Sequence, residues 1–263
     1  MSALPHRLDR TVVIEARPEN VFRYFTDEKR WAAWWGEGST IDARPGGRVY
    51  IRHPGGVESL GEVVEVERPE RIVFTYGFAS GKPIPPGASR VTIRLEPHPR
   101  GTRLVLLHEF AEASPRDEHV QGWRYQLAVF GNVVANELHA GAAGTVDGWF
   151  EAWSAENDAR CAEGMTRVAA ADVRFRDRFS LTFGLDDLLP HLSAARRFMP
   201  GLRLRRVGDV RHCQGVVLAD WVAENANGQE KGRGTNVFML DADGRIEAVT
   251  GLWGPPTGPG PTA

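Results

Sequence analysis

The sequence predicts an α+β protein built from two domains, each a curved antiparallel sheet around a cavity. Three observations predict it. The chain has 263 residues, long enough for two domains of ordinary size. Strand-like alternation and helix-like spacing occur in two separate successions. The stretch Gly141-Ala-Ala-Gly144 interrupts the pattern between them.

The first succession begins with a strand at 11–16, where Thr11-Val-Val-Ile-Glu-Ala alternates. Pro18-Glu-Asn-Val-Phe-Arg-Tyr-Phe then takes helical spacing, with proline in a favoured first-turn position. A tryptophan-rich segment, Trp31 to Trp35, follows. Candidate strands come next near 38–43, 48–52, 57–67, 71–78, 89–96 and 102–110, separated by turn signals such as Pro45-Gly-Gly and Pro99-Arg-Gly. Residues 79–88, with three prolines and two glycines, read as a loop. A long helix is predicted over 117–139, with Val120, Trp123, Leu127, Phe130 and Val134 on one stripe.

The second succession has helical spacing over 145–156 and 159–170, then a strand at Val173-Arg-Phe-Arg-Asp177. A helix over 184–198 is stopped by Pro200-Gly201. Four strands close the domain near 202–210, 214–224, 231–240 and 245–253, the last two joined by the hairpin turn Asp241-Ala-Asp-Gly244. The expected domains are 1–140 and 141–254, with 255–263, rich in Pro and Gly, as a disordered tail.

Composition excludes several classes. The net charge of −2, spread evenly over both halves, argues against a nucleic-acid binder. No apolar run approaches the ~20 residues of a membrane span, and no leader pattern opens the chain. Two cysteines, Cys161 and Cys213, make neither a disulfide scaffold nor a metal-ligand spacing. The expectation is a cytoplasmic protein with no membrane, nucleic-acid, metal or cofactor partner.

Residues 9–139 resemble the START/SRPBCC superfamily, a helix-grip fold, in its branch named after the activator of the Hsp90 ATPase. The pieces that carry this are Pro18-Glu-Asn-Val-Phe-Arg-Tyr-Phe-Thr-Asp27, Trp31-Ala-Ala-Trp34-Trp35-Gly36, Arg44-Pro-Gly-Gly47, and His119 with Gly122-Trp123. Residues 145–254 look like the SnoaL-like branch of the nuclear transport factor 2-like superfamily, an α+β cone. There the carriers are Val173-Arg-Phe-Arg-Asp177, Gly184-Leu-Asp-Asp-Leu, Gly234 to Ile246, and Gly251-Leu-Trp253. The resemblances imply a bacterial fusion of two ligand-cavity folds. They also imply binding of a hydrophobic small molecule and, in the second half, isomerase- or polyketide-cyclase-like acid–base chemistry. The alternatives are a non-catalytic ligand-binding module and a stress-response or protein-interaction module, with homodimerisation implied by the second superfamily.

Asp177 ends the strand that carries the general base in ketosteroid isomerase, a member of the second superfamily. A carboxylate in an apolar cavity suits proton abstraction beside a carbonyl. The plain alternative is that it caps the strand or pairs with Arg176 or Arg178. Alignment on the Asp-x-x-Gly-Arg-Ile hairpin puts Asn236 at the isomerase's hydrogen-bond donor, where its amide can donate to a developing enolate. The isomerase also uses a tyrosine from its first helix. All four tyrosines here lie in the first half, and the matching region offers Trp149 and Trp153.

Asp220 and Trp221 are adjacent in a strand, so one faces the cavity and the other the opposite face. An inward Asp220 would pair with Asp177 as acid and base. His191 is a candidate proton shuttle at the mouth, or a solvent-facing helical histidine. Trp31, Trp34, Trp35 and Trp123 read as aromatic packing or as the lining of a site for a flat apolar ligand. His53, His108, Glu109 and His119 match no metal-ligand spacing. Arg124 and Gln126 read as the outer face of the long helix, and the glycines at 232 and 234 as a bend or bulge.

Overall fold

In the computed structural model, which describes residues 4–254, contacts cluster into two compact units that part between Ala135 and Asn136. The first unit opens with β1 (His6–Ile14), then α1 (Pro18–Phe22), a 3₁₀ turn at Arg23–Phe25 and α2 (Glu28–Trp35). Asp27 caps α2 by accepting the Arg30 backbone N–H at 2.9 Å. Six strands follow: β2 (Thr40–Ile41), β3 (Arg48–Arg52), β4 (Glu58–Glu67), β5 (Arg71–Tyr76), β6 (Ser89–His98) and β7 (Gly101–Phe110). They form an antiparallel sheet ordered β1-β7-β6-β5-β4-β3-β2. Helix α3 (Ala113–Leu138) starts earlier than its periodicity predicts, because Pro115 is tolerated in a first turn.

Alternation decides which sheet face is core. Val91, Ile93 and Leu95 on β6 and Leu104, Leu106 and His108 on β7 are buried against the helices. Trp123, Leu127, Phe130 and Val134 form the buried stripe of α3. Gln126 corrects the outer-face expectation: it is buried, and its Nε2 donates to the carbonyl of Trp34. Arg124 is exposed as expected.

The second unit contains α4 (Ala142–Trp153), α5 (Asp158–Val168), β8 (Ala169–Arg176), β9 (Leu181–Phe183), α6 (Leu185–Phe198) and four long strands, β10 (Arg203–Cys213), β11 (Val216–Glu224), β12 (Glu230–Leu240) and β13 (Ile246–Trp253). Gly144 lies inside α4, so the sequence break is a three-residue join rather than a linker. The sheet order is β10-β11-β12-β13-β8-β9. It is mixed, not purely antiparallel as expected, because β13 runs parallel to β8. The core gathers Trp149, Phe150, Met165, Val173, Phe175, Leu188, Val217, Phe238 and Val249 between helices and sheet.

The fold class is therefore α+β with two curved sheets and six helices, and no helix among the described residues is long and apolar enough to cross a membrane. The expected disordered tail at 255–263 lies outside the described residues.

Candidate functional site

The second unit holds a cavity of about 460 Å³ between α4, α6 and the sheet. Its walls are aromatic and aliphatic: Trp149 and Trp153 from α4, Phe175 from β8, Phe198 from α6, Trp221 from β11 and Trp253 from β13. Its polar side chains, indoles aside, are Asp177, Ser180, His191 and Asn236.

Asp177 leaves β8 into a tight turn. Its Oδ1 accepts the Phe179 backbone N–H at 2.8 Å, and its own N–H donates to the Ser180 carbonyl at 3.0 Å. An aspartate stabilises such a turn by replacing a backbone acceptor. Its Oδ2 accepts the indole N–H of Trp253 at 3.1 Å. Neither Arg176 nor Arg178 forms an ion pair with it; Arg176 reaches Thr250 and Arg178 lies over the Phe179 ring.

Asn236 is buried on β12, and its Oδ1 accepts the indole N–H of Trp221 at 2.9 Å. An indole nitrogen only donates, so this bond fixes the orientation of the amide. The Nδ2 group is left with no protein acceptor among the described residues. Between the two polar groups lies Gly251, opposite Asn236 in the β12–β13 register. A Cβ there would sit 3.1 Å from Asp177 Cβ and 3.3 Å from Asn236 Oδ1. Asp177 and Asn236 thus share one wall because the residue between them has no side chain.

Gly234 has the same kind of reason. A Cβ on it would lie 2.7 Å from Cζ2 of Trp221, so the bare backbone gives that indole its place on the sheet. This corrects the reading of Gly234 as only a bend or bulge. Trp221 and Trp253 meet edge to face at 5.1 Å.

Asp220 corrects the acid–base pair expected of it. Strand alternation puts Trp221 in the cavity, so Asp220 points out of the opposite face, exposed, bonded to the Thr235 hydroxyl and 4.0 Å from Arg211. His191 sits on α6 in the cavity wall with its Nε2 3.0 Å from Ser180 Oγ. The indole N–H groups of Trp149 and Trp153 are sealed and without partners.

The four tryptophans of the first unit are packed elsewhere. Trp31, Trp34, Trp35 and Trp123 are each at most 5% exposed and meet in edge-to-face and tilted pairs at ring separations of 4.3–5.7 Å. Trp31 donates to the Tyr50 carbonyl, Trp34 to the Tyr24 carbonyl and Trp123 to His108 Nδ1. Three of their four N–H groups are therefore committed to the fold. His108 in turn carries its proton on Nε2, donating to Ser89 Oγ, whose hydroxyl donates to the Tyr76 carbonyl. Burial holds His108 well below the ordinary imidazole value, with His119 nearby adding to the effect. Glu109 faces the other side of the sheet, where it meets Arg90 at 2.8 Å. Among the described residues, no group of three or more His, Cys, Asp or Glu is arranged to hold a metal ion.

Sequence reasoning missed Ser180, Gly251 and Trp253 as parts of the wall. Gly251 and Trp253 share strand parity with each other, and that two-residue period was the available signal. Ser180 lies in an irregular turn, where no period operates.

Residues 15–135 match the family described as Activator of Hsp90 ATPase homolog 1-like protein, which supports the resemblance of the first half. The match spans under half of the 263 residues. No curated protein matches the chain. Among solved structures, a SnoaL-like family protein from Agrobacterium tumefaciens is 24% identical with TM-score 0.41, covering 45% of this chain and 99% of its own. The Aha1 dimer from Colwellia psychrerythraea is 15% identical with TM-score 0.43, covering 49% and 96%. A protein from Chromobacterium violaceum is 26% identical with TM-score 0.41, covering 49% and 97%. With TM-scores below 0.5, none of these likenesses bears on what the chain does.

Proposed function

We propose that residues 141–254 form a SnoaL-like small-molecule domain, fused to a START/SRPBCC-like domain at 1–140. Its cavity takes a flat, apolar, carbonyl-bearing ligand. The reading includes cofactor-independent proton transfer, with Asp177 as the base and Asn236 Nδ2 as a donor to the oxygen that gains charge. One observation carries it: a carboxylate and an amide, each oriented by an indole N–H, flank a side-chain-free Gly251 in a cavity walled mainly by aromatic and aliphatic side chains. A carboxylate held in one orientation is placed to take a proton from a bound carbon acid. About 460 Å³ lies within the size range of small-molecule pockets.

A second reading, a non-catalytic carrier, is favoured by one specific fact: both Asp177 oxygens already accept a protein N–H. Each oxygen keeps a further lone pair, so the first reading stands ahead.

The test needs no knowledge of the natural ligand. 5-Nitrobenzisoxazole is a flat aromatic that ring-opens when a base removes its single acidic C–H. The expected result is catalysed opening that Asp177→Asn abolishes while the protein still binds the compound. Opening that survives Asp177→Asn would remove the base role and leave the carrier reading.

A further inference from the structure

The polar groups on the cavity wall differ in what they leave free. Both oxygens of Asp177 and the amide oxygen of Asn236 already accept N–H bonds. Asn236 Nδ2 has a hydrogen still to give, the unpartnered indole N–H groups of Trp149 and Trp153 are sealed, and the Ser180 hydroxyl has one to give when the His191 ring proton is on Nε2. Ser180 Oγ has one partner among the described residues, His191 Nε2 at 3.0 Å. With the ring proton on Nε2, the imidazole donates to Oγ and the serine hydrogen is released to the cavity.

Ser180 is also tied to the base. Asp177 N–H bonds to the Ser180 carbonyl at 3.0 Å, and Asp177 Oδ1 holds the Phe179 N–H at 2.8 Å, so the two side chains leave one closed turn. Ser180 lies at the end of that turn and His191 on helix α6, so two separate elements hold the hydroxyl.

We infer that Ser180 is a second donor to the ligand oxygen that gains charge, and that His191 is the positioning residue that turns its hydroxyl into the cavity. This rests on the proton-transfer reading of Asp177. The electron flow is closed: Asp177 takes the proton from the carbon beside the carbonyl. The released pair forms the carbon–carbon double bond, and the carbonyl electrons move to oxygen. Asn236 and Ser180 hydrogen-bond that oxygen, and Asp177 returns the proton to another carbon of the same conjugated system. No co-reactant is required. Two fixed donors at a charge-developing oxygen lower the barrier without reorganising.

The test uses a series of benzisoxazoles whose ring substituents vary the acidity of the leaving phenol. Charge develops on that oxygen as the N–O bond breaks. Removing a donor to it hurts the poorest leaving groups most. For Ser180→Ala the expected result is a kcat loss of about tenfold or more for the unactivated substrates. The dependence of rate on phenol acidity should steepen. His191→Gln should fall between wild type and Ser180→Ala, and Ser180→Thr should restore both rate and slope.

A loss equal across the series, with the slope unchanged, would overturn the donor role, as would wild-type rates in Ser180→Ala. Unchanged intrinsic tryptophan fluorescence of each variant separates these results from misfolding; if Ser180→Ala does not fold, His191→Gln with the same slope readout decides. Catalysis abolished by Asp177→Asn, with a slope indifferent to Ser180 and His191, would sink this inference alone. A wild-type protein without catalysis, or one indifferent to Asp177→Asn, would sink both.

Discussion

Trp253 donates its indole N–H to Asp177 Oδ2 at 3.1 Å, across 76 positions of sequence, and the same ring meets Trp221, which holds Asn236. The orientation of both polar groups thus depends on a pair of touching indoles. Trp253→Phe keeps the ring and removes the donor. The expected outcome is a stability loss of about 1 kcal/mol and a larger loss in catalysed opening of 5-nitrobenzisoxazole, because Asp177 gains rotamer freedom. Urea unfolding read beside steady-state kinetics checks this; equal kinetics in the variant would break the link.

Gly251→Val should be more severe for the site than for the fold. Its Cβ would press on Asp177 Cβ at 3.1 Å and Asn236 Oδ1 at 3.3 Å, and the branched methyl groups would intrude between them. A folded protein with at least about a tenfold weaker affinity for 2-naphthol, a fluorescent flat phenol, is expected. Titration by fluorescence quenching measures it, and wild-type affinity would contradict the shared-wall geometry.

Asp220→Asn separates the two faces of the sheet. Asp220 is exposed and outside the cavity, so rate and naphthol affinity should stay at wild-type values while stability moves by less than about 0.5 kcal/mol. A lost rate in this variant would contradict the face assignment of β11.

Acid should weaken the second unit through His139. This ring is buried, neither of its nitrogens has a hydrogen-bond partner, and His212 stands 5.3 Å away, centroid to centroid. Burial first, and then the neighbouring His212, push it from 6.5 down to about 4, with Asp241 pulling weakly the other way. The unfolded chain therefore takes up the proton first as pH falls. Stability from the neutral ring is complete above about pH 6.5 and drains away towards about pH 4. His108, depressed by burial, acts in the same direction in the first unit. The expected result is that His139→Leu flattens the change in urea midpoint between about pH 7 and about pH 5. A midpoint that falls as steeply as in wild type would show that this ring is not responsible.

In the first unit, Trp123→Phe should cost about 1–3 kcal/mol, because His108 Nδ1 would be left as a buried acceptor without its donor at 2.9 Å. Thermal unfolding checks it, and the double variant with His108→Leu should recover part of the loss if the orphaned acceptor is the cause.

Much of the architecture was legible in the sequence, and the reasons are physical. The stripe of α3 and the alternation of β11 repeat with fixed periods, so burial follows from counting. Counting also limited the choice at Asp220 and Trp221 to two arrangements without choosing between them, since both faces of a strand are sterically open to either residue. Gln126 was misread because a helix periodicity sees polarity, not the carbonyl of Trp34 waiting inside. The parallel pairing of β13 with β8 was out of reach: nothing local in either strand encodes which remote edge it will join. Ser180 and Gly251 acquire their roles only from that pairing and from the turn after β8.

The parallel join has a consequence for how the site comes into being. Asp177 and Ser180 lie on the early side of the second unit, and Gly251 and Trp253 on its final strand. A chain ending before about residue 250 could retain the helices and β10–β12, yet would keep an aspartate with no indole to hold it. Emergence from the ribosome runs in the same order, so Asp177 waits for Trp253 before its carboxylate is held. Loop closure over some seventy residues makes that event slow compared with forming the adjacent hairpins. Loss of β13 alone would therefore leave most of the sheet, with Asp177 and Asn236 deprived of the Trp253 donor and of the Gly251 wall between them.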